Sequence, residues 1–514
     1  TGWLDTPANQ KITYADKMLD RSVFATWSQV KEMEQSGLVE VASHTHNLHN
    51  GINANPSGGQ LPAVIAPEYK NGKYETEDAY KNRLKSDFAR TVQTLVNHIG
   101  KKPRVMVWPY GQFNDVAVQI ARQAGMPHYF SLGEKIINKV GDKHIGRLLL
   151  NAETDLNTVK NYLDGIDESK QIQRVLHVDL DYVYDANKAQ QAKNLDKLIE
   201  RIYRYGVTTV YLQAFSDPDG DGVADALYFP NKYLPVRDDI FGRIAWQLQT
   251  RAGVQVYAWM PVLAFDLRKN VKEAEYVIDS RTGKPSTKAY LRLSPYNKQN
   301  VEIIKSIYND LSFYAKFNGI LFHDDAFLTD FEGAEGNHAE GMVSPQAKQK
   351  TQDLIQLTHQ LTDALKPYFL RGSYSLKTAR NLYASVITNP NTEEWLAQNL
   401  KTLTDNYDTT AIMAMPYMEN EQPISQKEAY QWFASLIENV KAQAPLDKVL
   451  FEFQAVNWRT QKPIPESELI DWMTLLQKNH IYSYGYYPDN FLTNQPDLNK
   501  MKPYFSVNTN VGKP

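Results

Sequence analysis

The chain has no cysteine. That excludes disulfides, thiolate nucleophiles and cysteine-ligated zinc. It also lacks any apolar run near the roughly 18 residues that suggest a spanning helix. Charge of either sign is nearly balanced, with a formal net charge of −3, so no nucleic-acid partner is expected. Histidine is scarce, 11 in 514 residues. The sequence starts TGWLDTPANQ, with neither an initiator Met nor a signal peptide, and we read it as a fragment or a processed form.

What is present is ordinary in bulk, with 42% hydrophobic and 22% charged residues. A chain this long implies more than one domain and a large core. Aromatics are abundant, 31 Tyr, 19 Phe and 9 Trp. They serve a large core, and they also suit a carbohydrate groove, where a sugar's C–H face stacks on a ring.

The chain reads as two halves. In the first, SGLVEVASH (36–44) reads as a strand, and TEDAYKNRLKSDFARTVQTLVNHIG (76–100) as an amphipathic helix closed by glycine. KPRVMVWPYG (102–111) is a strand running into a turn, and DVAVQIARQAG (115–125) a further helix. The alternation predicts an α/β domain over residues 1–165. A polar stretch, 154–173, marks the boundary. From 172 to 514, eight strand candidates mostly separated by helical segments predict a (β/α)₈ barrel.

Such a barrel places its chemistry at the C-terminal ends of its strands. Those ends carry Asp179 and Asp181, Gln213, Trp259, His323-Asp324-Asp325, Arg380-Asn381, Pro416-Tyr417, Glu452 and Gln454, and Tyr486-Tyr487 with Asp489. A purely structural barrel does not need carboxylates at several strand ends.

In the first half, SHTHNLHNG (43–51) gathers His44, His46 and His49. At a strand end and the turn after it, His44 and His49 can reach one metal, and imidazole suits zinc, nickel, cobalt or iron. A histidine-rich surface turn is the plain alternative. His46 shares its alternation with His44 only, so a supporting role is expected for it.

SHTHNLH resembles the H-(S/T)-x-x-x-H metal motif of family 4 carbohydrate esterases, the polysaccharide N-deacetylases. VWPYG (107–111) stands where that family carries its R-x-P-x-G-like groove motif. The second half, with VDLDYVY, QAFSDPDGDG, YAWMPVL, FHDDAFLTDFE and MAMPYM, is similar to the C-terminal domain of the periplasmic two-domain deacetylases of poly-β-1,6-N-acetylglucosamine. The resemblance implies a divalent metal held by His44 and His49, polarising an acetamide carbonyl. It implies that Trp108 and Tyr110 line the groove, with the Tyr110 backbone facing the oxyanion. It also implies a periplasmic location, a lipidated N-terminal anchor to the outer membrane and an outer-membrane export porin as partner. One feature departs from the family: residues 1–43 contain no Asp-Asp pair, where the family carries its general base and a metal ligand. The expectation is a chain that begins after that motif, with an incomplete deacetylase site.

GILFHDDAFLTDFE (319–332) is the most informative stretch of the second half. Glycoside hydrolysis takes two carboxyl groups. Adjacent carboxylates repel, which raises one pKa and suits a general acid. The resemblance assigns Asp324 and Asp325 to the site, Asp324 first, and Glu452 is the candidate second carboxylate or a ligand for a glucosamine ammonium. The reaction implied is endo-hydrolysis of the partially deacetylated polymer, with no cofactor for the barrel. Acidic residues such as Asp179 and Asp181 would read its amines. Trp259, Tyr290, Trp395, Tyr417, Trp458, Trp472 and Tyr486 are candidates to line the groove. DPDGDGVAD (217–225) resembles a calcium loop but has Tyr228 where an EF-hand needs Glu, so it is expected to be an acidic groove loop. A barrel that only guides exported polymer is the alternative function.

Overall fold

The structure is a computed structural model. It describes residues 2–14, 17–132, 137–152, 154–164, 172–286, 289–333, 343–372 and 375–509. The chain divides into two compact units. One comprises Thr1–Ser169 with Ser312–Tyr314 and Lys366–Ser375, and the other the remainder. The expected domain bounds meet at residues 165–171, which lie outside the described residues.

The first unit carries a three-stranded parallel sheet, β1 (Val105–Val107), β2 (His128–Leu132) and β3 (His144–Arg147). Helix α1 (Glu77–Ile99) starts where Thr76 accepts from the Ala79 N–H, has Glu77 and Asp78 in its first turn, and stops at Gly100 with φ 77°. Those are a side-chain N-cap, the acidic end of the helix dipole and a left-handed C-cap. Tyr80, Leu84, Phe88 and Leu95 recur on one face and are buried. They pack with Met106, Trp108, Phe113 and helix α2 (Asp115–Gln123) in this unit's core. Residues 37–42, read from the sequence as a strand, form none. Pairing is confined to Ser43, which bridges Met106 in parallel. The exposed Leu38 and Glu40 explain it: this side of the segment has no second apolar layer to bury.

The second unit is a closed parallel barrel of β4 (Arg174–Val178), β5 (Thr209–Gln213), β6 (Gln255–Met260), β7 (Gly319–Phe322), β8 (Lys377–Tyr383), β9 (Thr409–Met413), β10 (Val449–Gln454) and β11 (Tyr484–Tyr487). Most of these residues are buried on both strand faces, as parallel strands under a helical layer must be. Helices α3 (Lys188–Tyr205), α4 (Phe241–Gln247), α5 (Lys298–Tyr314), α6 (Pro345–Leu365), α7 (Leu400–Asn406), α8 (Gln426–Gln443), α9 (Glu466–Lys478) and α10 (Leu498–Phe505) alternate with the strands. The ring closes where β11 meets β4, Val175 opposite Gly485. A Cβ on Gly485 would lie 2.5 Å from the Val175 carbonyl oxygen, so this closure needs glycine.

Candidate functional site

The histidine turn is fastened at both ends. The Ser43 N–H donates to the Val105 carbonyl, and the Ser43 carbonyl accepts from Val107 N–H. Beyond it, the Asp87 carboxylate on α1 accepts the N–H groups of His46 and Asn47 at 2.8 and 2.7 Å. His44 thus leaves the sheet edge beside β1, and the turn carries His49 back to it. Their ring centroids lie 4.7 Å apart, edge to face. His44 Nδ1 is 2.7 Å from the Val107 carbonyl oxygen. The neutral ring therefore carries its proton on Nδ1 and leaves the Nε2 lone pair for a ligand. Burial pushes both imidazoles below their ordinary pKa, for His44 against the pull of the Val107 bond. Two imidazoles held neutral, with the tautomer of His44 fixed, fit a metal-ligand pair. Tyr110, exposed and at φ 57°, sets its ring 4.6 Å from that of His49.

Trp108 does not line a groove. It is fully buried, stacked 5.7 Å from Phe113 in the core, because it follows β1 on the sheet's inner side.

At the barrel, the stretch after β7 separates two neighbouring carboxylates into different tasks. Asp324 receives the hydroxyls of Tyr290, from the loop after β6, at 2.9 Å, and of Tyr383, at the end of β8, at 2.8 Å. His323 Nδ1 lies 2.9 Å from its Oδ1. Burial alone would raise the Asp324 pKa, but His323 and the two hydroxyls outweigh it and hold the carboxyl below its ordinary value. His323 Nδ1 also lies 2.9 Å from Trp259 Nε1. These contacts are alternatives. Protonated, the ring donates to Asp324; neutral, it accepts from Trp259. Burial opposes the charged ring, yet Asp324 and then Asp325 raise its pKa, which favours the first.

Asp325 points away from this chemistry. Its carboxylate accepts the backbone N–H groups of Val262, Leu263 and Ala264 at 2.6–3.0 Å and is fully buried. It pins the loop after β6 to the end of β7. Asp325 is therefore a structural anchor, not a second catalytic candidate. The raised member of the pair is Asp325, lifted by burial, while Asp324, the first-named catalytic candidate, is held below its ordinary value. Further along, Glu332 is buried and spent on Arg292, 2.6 Å away.

Glu452, the expected second carboxylate, has both oxygens engaged by protein groups. It lies two residues below the end of β10, with Oε1 2.7 Å from His177 Nε2 and Oε2 accepting from Asn381 at 2.7 Å. At the end of β4, Asp179 is buried, and its Oδ1 has no hydrogen-bond partner among the described residues. Its pKa is pushed up to about 7, by burial first and then by Asp181, while a hydrogen bond from Tyr487 opposes the shift. Asp181 is held by Arg237 at 2.5 Å, Tyr228 at 2.5 Å and Ser216 at 3.0 Å. The acidic loop brings one oxygen each of Asp217, Asp219 and Asp221 within 4.8 Å of one another. Asp217 itself accepts the N–H groups of Gly220, Asp221 and Gly222.

The aromatic candidates sort by strand alternation. Trp259 is 5% exposed and walls the mouth between His177, Tyr487 and His323, with ring centroids 5.2–5.4 Å away. Trp458 is half-buried with its ring 6.2 Å from Tyr487. Trp395 is exposed. Tyr417 donates its hydroxyl to Glu468 at 2.5 Å. Two candidates are corrected. Trp472 is fully buried on α9, stacked 5.6 Å from Phe433. Tyr486 points outward to the helix layer, bonding Asp489 at 2.6 Å, because its neighbour Tyr487 takes the inward position. Tyr383 and His177 are the mouth residues that were not singled out from the sequence, whereas Tyr487 was read at its strand end. Strand alternation counted back from Asp179 would have found His177.

A closed barrel whose mouth is ringed by buried carboxylates and aromatics, in a chain that also carries a paired-histidine α/β unit, defines a glycoside hydrolase barrel joined to a polysaccharide deacetylase domain. The polysaccharide deacetylase family matches residues 6–129, and the family described as hypothetical glycosyl hydrolase family 13 matches residues 177–487. The chain is 40% identical to the poly-β-1,6-N-acetyl-D-glucosamine N-deacetylase of Escherichia coli K12, over 98% of this chain and 78% of that protein. It belongs to that two-domain family. The solved glycoside hydrolase domain of PgaB (BpsB) from Bordetella bronchiseptica is 38% identical, with a TM-score of 0.60, covering 66% of this chain and 100% of that one. A deacetylase of the same description from Staphylococcus aureus N315 is 28% identical over 27% of this chain and 42% of its own length. Polysaccharide deacetylases are generally metal-dependent. Among the described residues no helix is long and apolar enough to cross a membrane.

Proposed function

We propose that the barrel hydrolyses partially deacetylated poly-β-1,6-N-acetylglucosamine within the chain, and that the first unit serves N-deacetylation of the same polymer. The observation that carries the hydrolase reading is Asp324. It is a buried carboxylate at a strand end, bonded by Tyr290 and Tyr383 and paired with His323. That arrangement keeps a carboxylate charged beside an aromatic wall, and glycoside cleavage uses such a carboxylate as base or nucleophile.

In the deacetylase unit, His44 and His49 are the residues that would hold a divalent metal, one of the imidazole-binding set of zinc, nickel, cobalt and iron. Bound there, the metal supplies a Lewis acid for an acetamide carbonyl. The protein's own part is to keep both imidazoles neutral and His44 fixed on Val107, while Tyr110 borders the space beside His49. The family reading carries with it a periplasmic setting and handover of polymer to an outer-membrane export porin.

The test offers the protein partially deacetylated and fully acetylated polymer and follows oligosaccharide release by mass spectrometry. Shortening of the first, weakened by added salt, is the expected result. Retained binding without any shortening would replace the hydrolase reading with that of a polymer-guiding barrel. Equal cleavage of both polymers would remove the amines from the recognition scheme.

A further inference from the structure

Asp179 and Asp324 end strands β4 and β7, which stand three places apart in the ring of eight. They therefore flank the mouth from opposing walls. Their surroundings differ in kind. Asp324 has its oxygens engaged by two phenol hydroxyls and an imidazole. Asp179 is equally buried, accepts from the Tyr487 hydroxyl, and keeps Oδ1 without a hydrogen-bond partner among the described residues. An unpartnered buried oxygen at a strand end is costly unless something else meets it. Between the two walls lie Tyr487 and Trp259, rings 5.4 Å apart, and Trp458 beside Tyr487. A run of aromatic rings thus lies between the two acids.

We infer that Asp179 is the proton donor to the departing sugar, working across the mouth from Asp324, an assignment that rests on the hydrolase reading above. The proton on Asp179 passes to the glycosidic oxygen as its bond to the anomeric carbon breaks. Water adds to that carbon, and the proton it loses goes to Asp324. Exchange with solvent then returns Asp324 to its carboxylate and Asp179 to its acid, so that one water and one glycosidic bond are consumed. The electrostatics agree. Burial and Asp181 push Asp179 up to about 7, and Asp217 adds to this, while Tyr487 and His323 oppose it. Asp324 is held down. Two carboxyls whose environments drive them apart divide into acid and base.

The experiment compares Asp179→Asn and Asp324→Asn with the parent on two substrates. These are the partially deacetylated polymer and a 2,4-dinitrophenyl β-glycoside of a β-1,6-linked glucosamine oligosaccharide, whose leaving group needs no proton. Asp179→Asn should lose about 10²–10⁴-fold on the polymer but less than about tenfold on the aryl glycoside. It should also lose the alkaline limb of the parent's kcat/KM profile. Asp324→Asn should fail on both substrates. As a second variant, Tyr487→Phe removes a bond that favours the Asp179 carboxylate, so the alkaline limb should move to higher pH. Equal losses on both substrates for Asp179→Asn, or an alkaline limb unmoved in both variants, would overturn the assignment while leaving the hydrolase reading intact. A parent that cleaves neither substrate would overturn both.

Discussion

The histidine turn and the barrel mouth share a local plan and differ in how far the protein completes it. In each, the reactive residues follow an extended segment paired in parallel with a neighbour: Ser43 beside β1, and Phe322 between β6 and β8. At the turn, one nitrogen of His44 is committed to Val107, and burial keeps His44 and His49 neutral. That leaves the Nε2 lone pair of His44 suited to a ligand from outside. At the mouth, Asp324 and Asp325 are already met by hydroxyls, an imidazole and backbone N–H groups. The first is a site that a metal would complete; the second is a site that the chain completes for itself.

The sharpest test of the self-sufficient mouth is Asp324→Asn. It keeps the volume and removes the charge, so polymer cleavage should fall by about 10²–10⁴-fold, measured as oligosaccharide release. Asp325→Asn should break something different. An amide has one acceptor oxygen where three N–H groups converge, and its own N–H₂ would face them. Leaving buried donors unsatisfied costs about 1–3 kcal/mol each. A drop in thermal midpoint should thus precede any loss of rate per folded molecule. If Asp325→Asn melts like the parent and is inactive, the division between the two residues fails.

The proposed metal binding at the turn is tested by zinc titration calorimetry. Losing an outer partner of a metal ligand costs about 10–100-fold in affinity, and His44→Ala or His49→Ala should cost at least that. His46→Ala should cost less. Proton linkage supplies a second readout. Below about 6.5 the unfolded imidazoles bind protons that the folded, buried ones refuse, so this unit loses stability on acidification. His44→Ala should flatten that slope. The Asp324 contribution behaves in the other window, present above its ordinary value of 3.8 and lost only as pH falls past it. The smallest effect is expected for Trp458→Ala. It is half-buried beside Tyr487, so KM for polymer should rise a few-fold, at about 1 kcal/mol per stacked ring, with the thermal midpoint unchanged.

Much of this architecture was legible in the chain. Eight buried strands of a parallel barrel are near-continuous apolar runs, and the rule that chemistry gathers at their C-terminal ends pointed to Asp179, Trp259, His323 and Asp324. The cap at Thr76 and the stop at Gly100 are local signals, and the helix between them formed as read. The pairing of His44 with His49 was also readable, since both sit in one turn.

The errors have a common cause. Trp108, Trp472 and Tyr486 were read as sugar platforms because an aromatic side chain looks the same in sequence whether it faces a groove or a helix layer. Asp324 and Asp325 are adjacent, so composition and spacing treat them alike. Their roles parted only when Tyr290 and Tyr383 closed on the first and Val262–Ala264 on the second. Glu452 met His177, 275 positions away. Element type, strand ends and short-range turns follow from backbone preference and the period of burial, which act over a few residues. Which oxygen stays charged, which stays open and which merely holds a loop depends on groups far apart in the chain. Only barrel closure brings those groups within hydrogen-bond reach.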